Sequence, residues 1–169
     1  MIHVCSLSKV NETVAAAGAV RLVTLLNAGT PFERPVAIEQ ANHLFLSMND
    51  IVDEQPGMMA PGNDHVETLL EFVRGWDRSR PLVINCFAGI SRSTAAAYIA
   101  AAALAPSRDE AELARTLRRL SPSATPNPRL VRHADAILGR QGRMVAAIEA
   151  IGRGADAYEG TPFGLALEA

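Results

Sequence analysis

The sequence is poor in cysteine, and Cys5 and Cys86 are the only two in 169 residues. Two cysteines cannot form the network of disulfides that stabilises many small secreted domains. A chain of this length can bury an ordinary hydrophobic core without crosslinks, so we expect a single domain. A reducing compartment suits this cysteine content best, and we predict a cytoplasmic location.

Long apolar runs are also missing. The most apolar stretch, residues 95–105, is too short and too rich in alanine to cross a bilayer. The first ten residues lack the charged start and the long apolar core of a secretory signal. We therefore expect no membrane span. The hydrophobic fraction of 49% and the charged fraction of 20% are typical of a globular domain.

An excess of positive charge is absent as well. The formal net charge is −2, and Lys9 is the only lysine among the 16 basic residues. A general nucleic-acid binder would need a strongly basic face, so no nucleic-acid partner is expected. The arginines concentrate in the second half of the chain, where we interpret them as parts of solvated helix faces.

Short apolar runs alternate with helical patterns along the chain. Runs bounded by glycine and proline predict four strands, in the segments IHVCSL, VRLVTLLNAG, ANHLFLS and PLVIN. Helical periodicity follows the third and fourth runs, and one last long helix is predicted from the cap Asn127 through Ile148. Residues after Gly152 are weakly patterned. This order predicts an α/β fold with a mainly parallel sheet, flanked by helices, and a helical C-terminal third.

The segment from Cys86 to Ser93 joins the strand PLVIN to an alanine-rich helix. A short turn that contains a glycine, here Gly89, can point successive backbone N–H groups at one centre. The helix adds its own unpaired N–H groups and the positive end of its dipole. Arg92, in the first helical turn, can hold two phosphate oxygens at once. The pattern predicts a cradle for a tetrahedral oxyanion.

Cys86 stands at the base of this predicted cradle. The positive field that binds an anion also favours the thiolate over the thiol, so the site would hold a nucleophile. Ser93 can donate a hydrogen bond to the sulfur when it leaves as thiolate. The alternative is an inert buried cysteine, the usual fate of a lone cysteine in a strand. Cys, Gly, Arg and Ser at this spacing between a strand and a helix favour covalent phosphoryl transfer.

Residues 86–93, which read CFAGISRS, resemble the signature of the cysteine-dependent protein tyrosine phosphatase superfamily. That signature is a Cys, five residues, an Arg and then Ser or Thr. The later segment LRRLSPSATPNPRLVRHADAIL is similar to the two helices and Pro-Asn turn that end the compact dual-specificity and bacterial tyrosine phosphatases. The resemblance spans roughly residues 20–138. It implies a three-layer α/β fold, a single catalytic domain over residues 1–152 and a C-terminal tail over residues 153–169.

The resemblance also implies a role for each residue of the loop. Cys86 would be the nucleophile, Arg92 the phosphate clamp and Ser93 the residue that assists release of the thiolate. The backbone N–H groups that bind phosphate would be those of Phe87, Ala88, Gly89, Ile90, Ser91 and Arg92. A phosphocysteine intermediate is implied, with no metal and no other cofactor.

The family places its general acid, an aspartate, on a loop roughly thirty to forty residues before the cysteine. Asp50 fits this pattern, since it follows a predicted strand and lies 36 residues before Cys86. Asp53 on the same loop is the alternative. Asn85 departs from the family pattern, which usually has histidine there to hold the loop, and we expect Asn85 to hydrogen-bond to the same backbone. Cys5 is expected to pack in the first strand, with a resolving thiol as the alternative.

These observations predict a protein phosphatase that hydrolyses phosphotyrosine and tolerates phosphoserine or phosphothreonine. Its partners would be phosphorylated proteins or small phosphomonoesters. No positive charge lies between Cys86 and Arg92, which makes a phosphoinositide the second choice of substrate. A phosphate-binding module without turnover and a sulfur transferase are the remaining alternatives. The oligomeric state is left open.

Overall fold

A computed structural model of the chain describes residues 1–167. Its five strands form one sheet in the order β3-β2-β4-β1-β5. The strands are β1 (Ile2–Ser6), β2 (Arg21–Leu26), β3 (His43–Ser47), β4 (Leu82–Cys86) and β5 (Phe163–Leu165). The first four run parallel, and β5 runs antiparallel to β1. The predicted mainly parallel sheet is confirmed. Strands β1, β2 and β3 lie within their predicted runs, and β4 extends one residue beyond its run, to Cys86.

Helices cover both faces of this sheet. They are α1 (Val10–Ala17), α2 (Asn63–Arg74), α3 (Arg92–Leu104), α4 (Glu110–Leu120), α5 (Pro128–Ile137) and α6 (Arg143–Ile151). Helix α1 packs over a small core on one face, and the other five helices pack over the main core on the opposite face. The result is the expected α/β architecture of three layers. Among residues 1–167, no helix is both long and apolar enough to cross a lipid bilayer.

Strand β4 lies at the centre of the sheet, and all five of its residues are buried. Because both faces are covered, its sequence is a continuous apolar run apart from Asn85. Side chains alternate along a strand, so Val83 enters the small core while Ile84 and Cys86 enter the main core. The side chain of Cys86 therefore emerges on the face that carries α3.

Helix α3 begins directly beyond the end of β4 and is the most deeply buried helix. Every residue from Arg92 to Ala102 is buried. Alanine favours helix and adds little bulk, which lets α3 lie close to the sheet and to its neighbours α2 and α5. The buried N-terminus of this helix is thereby fixed against the last residue of β4.

The predicted last long helix is two helices. Asn127 caps α5 and Pro128 is its first residue, as expected. The prediction of an unbroken helix through Ile148 is wrong, because a turn with φ of 64° at Gly139 and 84° at Gly142 separates α5 from α6. Asp135 fixes this break by accepting a hydrogen bond from the N–H of Gly142 at 2.6 Å.

The tail after Gly152 contributes an element that the sequence pattern did not predict. Strand β5 pairs with β1 at the edge of the sheet. Earlier in the tail, the N–H of Ala155 donates to Pro122 O at 2.9 Å, and that of Gly160 donates to Ala88 O at 2.8 Å. A three-residue strand is too short to show a period, which is why no signal for it was found.

Candidate active site

The loop between β4 and α3 is held from outside by backbone hydrogen bonds. We call residues 86–92 the cysteine loop. Four of its carbonyl oxygens accept from backbone N–H groups of other segments: Phe87 O from Leu7 at 3.1 Å, Ala88 O from Gly160 at 2.8 Å, Ile90 O from Thr125 at 3.0 Å and Ser91 O from Asn127 at 3.3 Å. The donors belong to the turn after β1, the connector between α4 and α5, and the tail. Three distant parts of the chain therefore set the shape of this loop.

These outward carbonyls determine where the amides of the loop point. In a trans peptide the N–H of the next residue points opposite to the carbonyl. The N–H groups of Ala88, Gly89, Ser91 and Arg92 are accordingly directed toward the inside of the loop. The N–H of Gly89 donates to Cys86 Sγ at 3.3 Å. A ring of inward amides around a sulfur is an arrangement suited to a tetrahedral oxyanion.

Gly89 is required by the close approach of the cysteine loop to β1. Its φ is +73°, and a Cβ atom there would lie 2.8 Å from the carbonyl carbon of Cys5 and from the nitrogen of Ser6. No larger residue fits without moving the loop away from the strand. The glycine thus lets the loop turn tightly beside β1, where Ser6 pairs in register with Cys86.

The sulfur of Cys86 lies in a buried, polar position. Only 2% of the residue is exposed. Its Sγ is 3.1 Å from Ser93 Oγ, in the first turn of α3. The Ser93 hydroxyl and the Gly89 N–H are both placed to donate a hydrogen bond to this sulfur. The sulfur therefore has polar neighbours although it is buried.

Arg92 is anchored by one of its terminal nitrogens. Nη1 donates to Asn27 Oδ1 and to Met48 O, each at 2.7 Å. Asn27 follows β2 and Met48 follows β3, so the ends of two neighbouring strands hold the guanidinium in place. Within residues 1–167, the buried Nε atom has no hydrogen-bond partner, and it lies 4.0 Å from Asp50 Oδ2. A buried cationic donor without an acceptor is costly, and an oxygen of a bound anion would satisfy it.

Of the two candidate acids, Asp50 is the one that the structure brings into contact with the cysteine loop. Its Oδ1 accepts from Ser91 Oγ at 2.7 Å and from Asn127 Nδ2 at 2.8 Å. Asp53, the alternative, is exposed and takes no part in these contacts. Asn127 also caps α5, by accepting from the N–H of Leu130 at 3.1 Å. The sequence indicated the cap, but nothing in the sequence pointed to the second contact with Asp50.

No family model and no curated protein sequence matches the chain. The structure is nevertheless similar to solved phosphatase structures. Human DUSP28 aligns with a TM-score of 0.62 and 19% identity, over 82% of this chain and 94% of that chain. The human tyrosine phosphatase-like serine/threonine/tyrosine-interacting protein aligns with a TM-score of 0.64 and 14% identity, over 83% and 92%. PTPMT1, solved in complex with PI(5)P, aligns with a TM-score of 0.61 and 13% identity, over 83% and 94%.

The chain has the fold of the cysteine-dependent phosphatases. The architecture implied by residues 86–93 is confirmed by these structures. In this phosphatase fold, ligands are expected beyond the carboxyl ends of the parallel strands, and Cys86, Asn27 and Met48 all lie at those ends. Within residues 1–167, no three His, Cys, Asp or Glu side chains are grouped so that they could hold a metal ion.

Asn85 does not hold the loop of this phosphatase fold as expected. Its side chain points away from Cys86, because neighbouring residues on a strand face opposite sides of the sheet. Its Oδ1 accepts from Thr24 Oγ1 at 2.8 Å, and its buried Nδ2 has no hydrogen-bond partner in the described part of the chain. His43 Nε2 lies 3.0 Å from the same Thr24 hydroxyl. The loop is instead held by backbone donors from the three distant parts of the chain.

Cys5 packs in the first strand, as predicted, within the small core beneath α1. Burial raises the pKa of its thiol to about 12. The Cys5 side chain lies on the face of the sheet opposite to Cys86, so a disulfide between them would require the strands to rearrange. This placement argues against the alternative role of a resolving thiol.

Proposed function

We propose that this chain is a phosphomonoesterase that acts on phosphotyrosine proteins, and also on phosphoserine and phosphothreonine, through a phosphocysteine intermediate. The observation that carries this proposal is the set of four outward carbonyls, which leave the amides of the cysteine loop free to bind an oxyanion over Cys86. The fold shared with human DUSP28 supports it. We also propose a cytoplasmic location.

In the first step, the inward amides and the free edge of Arg92 bind the oxygens of the phosphoryl group. The Cys86 thiolate attacks phosphorus, and the bond from phosphorus to the leaving oxygen breaks. Asp50 donates a proton to that oxygen, which then leaves as an alcohol or phenol. Asp50 suits this role because Ser91 and Asn127 hold it at the rim of the loop.

In the second step, water attacks the phosphorus of the phosphocysteine. The Asp50 carboxylate takes the proton of that water, and the bond between sulfur and phosphorus breaks. The electron pair stays on Cys86, where the Ser93 hydroxyl stabilises the thiolate at a distance of 3.1 Å. Inorganic phosphate leaves and restores the starting state. Neither step calls for a metal ion or an organic cofactor.

The charge of the cysteine loop favours a substrate with a single phosphate. Residues 87–91 carry no charge, so Arg92 is the only cationic side chain within the loop. A phosphoinositide is the second candidate, and PTPMT1, a structure of the same fold, was solved in complex with PI(5)P. A phosphate-binding protein without turnover is the third, and its support is Asn85 beside Cys86, since the Asn85 Nδ2 has no hydrogen-bond partner within residues 1–167.

Hydrolysis of p-nitrophenyl phosphate tests the proposal. We expect turnover by the unaltered chain and a fall of at least about 10⁴-fold in Cys86→Ser, since the nucleophile is lost. Acid quench followed by mass spectrometry should find a phosphoryl group on the peptide that contains Cys86. Cys5→Ser serves as the matched control and should retain turnover.

Three results would contradict the proposal. Turnover that survives Cys86→Ser would exclude a phosphocysteine. Binding of vanadate without any turnover would indicate a binding module. Cleavage of thiosulfate in place of phosphoesters would indicate a sulfur transferase.

A further inference from the structure

An apolar groove of about 270 Å³ lies beside the cysteine loop. Its lining residues are Leu7, Ser8, Phe87, Ala88, Tyr158 and Glu159. Phe87 is 56% exposed and Tyr158 is 92% exposed. Phe87 and Ala88 directly follow Cys86, so the groove begins one residue beyond the nucleophile. A peptide that places its phosphorylated side chain in the cradle would have a neighbouring residue over this groove.

One carboxylate lies in this otherwise apolar lining. Glu159 Oε1 accepts from Ser6 Oγ at 2.5 Å and also from Ser8 Oγ. These hydrogen bonds lower the pKa of Glu159, so its side chain is negative at neutral pH. The positive charge of Lys9 also lowers the pKa of Glu159, although Lys9 pairs with Glu12 at 3.2 Å. The groove thus offers apolar walls and a negative charge that a cationic partner would complement.

The tail fixes this wall of the groove relative to the cradle. Gly160, which follows Glu159, donates its N–H to Ala88 O at 2.8 Å. A Cβ atom at Gly160 would lie 2.9 Å from Gly89 O, so the tail and the cysteine loop are in direct backbone contact. Glu159 and Tyr158 are therefore held at a set distance from Cys86. Such rigidity is what a specificity site next to a reaction centre needs.

We propose that this groove selects protein substrates with an arginine or lysine beside the phosphorylated residue. The inference rests on the proposed function and narrows its substrate class. The aliphatic stem of the cationic residue packs on Leu7 and Phe87. Its charged head meets the Glu159 carboxylate and the exposed ring of Tyr158. An acidic neighbour is repelled by Glu159, and so is a head group with several phosphates.

The test uses phosphotyrosine peptides that differ only in the residues flanking the phosphotyrosine, which are Arg, Leu or Glu. We expect kcat/KM to be about fivefold higher for the Arg peptide than for the Leu peptide, the size of a partly exposed ion pair with an aromatic neighbour. The Glu peptide should be the poorest substrate. Because salt screens exposed charges, the preference for Arg should shrink at about 0.5 M NaCl.

Glu159→Gln should bring the ratio of kcat/KM for the Arg and Leu peptides close to one. The ratio is the readout because it cancels any common effect of this substitution on the cysteine loop. Asp156→Asn is the matched control. Asp156 is exposed on the same tail, pairs with Arg153 at 2.5 Å and does not line the groove. Its substitution should leave the Arg preference intact.

A preference for Arg that persists in Glu159→Gln would overturn the inference, and so would equal or better hydrolysis of the Leu or Glu peptide by the unaltered chain. Faster hydrolysis of PI(5)P in phosphatidylcholine vesicles than of the Arg peptide would also overturn it. Failure of the proposed function has a different signature. Suppose that Cys86→Ser binds the Arg peptide more tightly than the Leu peptide by fluorescence polarisation, and that the unaltered chain hydrolyses neither. This result would support the cationic preference of the groove and refute the proposed phosphatase activity.

Discussion

Cys5 and Cys86 make an informative pair, because they lie on adjacent parallel strands and are buried to the same degree, with 1% and 2% exposed. Their side chains enter opposite faces of the sheet. Cys86 meets a hydroxyl and a backbone N–H. Cys5 lies in a largely apolar core with the Thr13 hydroxyl beside its sulfur, and burial raises the pKa of its thiol to about 12. The two cysteines therefore share the same degree of burial but differ in the groups around their sulfurs.

The difference in surroundings between the two sulfurs originates in the segment that follows each strand. After β1 the chain enters a short 3₁₀ turn, Leu7–Lys9, whose Leu7 N–H serves the cysteine loop rather than Cys5. After β4 the chain turns through Gly89 into α3, so a helix N-terminus lies directly beyond Cys86. Unpaired amides at that N-terminus favour negative charge. The chain that follows β4 thus supplies a backbone donor to the Cys86 sulfur, whereas the polar neighbour of Cys5 is the Thr13 hydroxyl of α1.

Alkylation should separate the two thiols by the largest factor. With iodoacetamide at about pH 7, we expect Cys86 to react at least about 10³-fold faster than Cys5, because the thiolate is the reactive form. With a pKa of about 12, Cys5 is almost entirely protonated at neutral pH, and its labelling should rise only in strongly alkaline solution. Peptide mass spectrometry measures both rates in one sample, and vanadate should protect Cys86. Equal rates of labelling at neutral pH would contradict the expected difference in reactivity between Cys86 and Cys5.

The Asp50 carboxyl at the rim of the cysteine loop should have the next largest effect. Asp50→Asn removes the proton donor and should lower kcat for p-nitrophenyl phosphate by about 10²-fold. Asp53→Asn, on the same loop, should leave kcat within about twofold, since surface substitutions away from a site have small effects. Steady-state kinetics across a range of pH measures kcat for both variants. A larger loss in Asp53→Asn would assign the acid to the other residue.

The hydroxyl beside each sulfur allows a matched comparison. Ser93→Ala removes the donor to Cys86 and should slow breakdown of the phosphocysteine by about tenfold, the size of one hydrogen bond to a charged group. A burst of product in rapid-mixing experiments would show that this second step has become limiting. Thr13→Val removes the hydroxyl beside Cys5 and should not change turnover. A similar loss of turnover in both variants would mean that the Ser93 effect is structural.

Cys5→Ala should have the smallest effect on activity. We expect kcat/KM within about twofold of the unaltered chain and a free energy of unfolding lower by about 1 kcal/mol, because a small buried group is lost. Urea denaturation measures the free energy, and hydrolysis of p-nitrophenyl phosphate measures the activity. Loss of activity in a stably folded Cys5→Ala chain would show that Cys5 contributes to activity as well as to packing.

Much of the architecture and of the candidate site was predictable because the signals are local. The run that forms β4, the turn at Gly89 and the alanine-rich helix are consecutive, so their order alone placed Cys86 and Arg92 at a strand end. The strand before Asp50 placed that residue at the same edge of the sheet. The break between α5 and α6 and the short β5 were missed. The break is fixed by Asp135 across the turn, and β5 is too short to show a period.

The residues of the cysteine loop could be identified from the chain alone, since a strand, a glycine turn and a helix start occupy neighbouring positions. Three-dimensional packing was needed to show that Asp50 rather than Asp53 contacts Ser91 and that Asn85 turns away to Thr24. It also brought Gly160 and Glu159 beside the loop. These contacts join residues far apart in the chain. Such contacts depend on how the layers pack against one another, and a periodic pattern within one segment does not predict them.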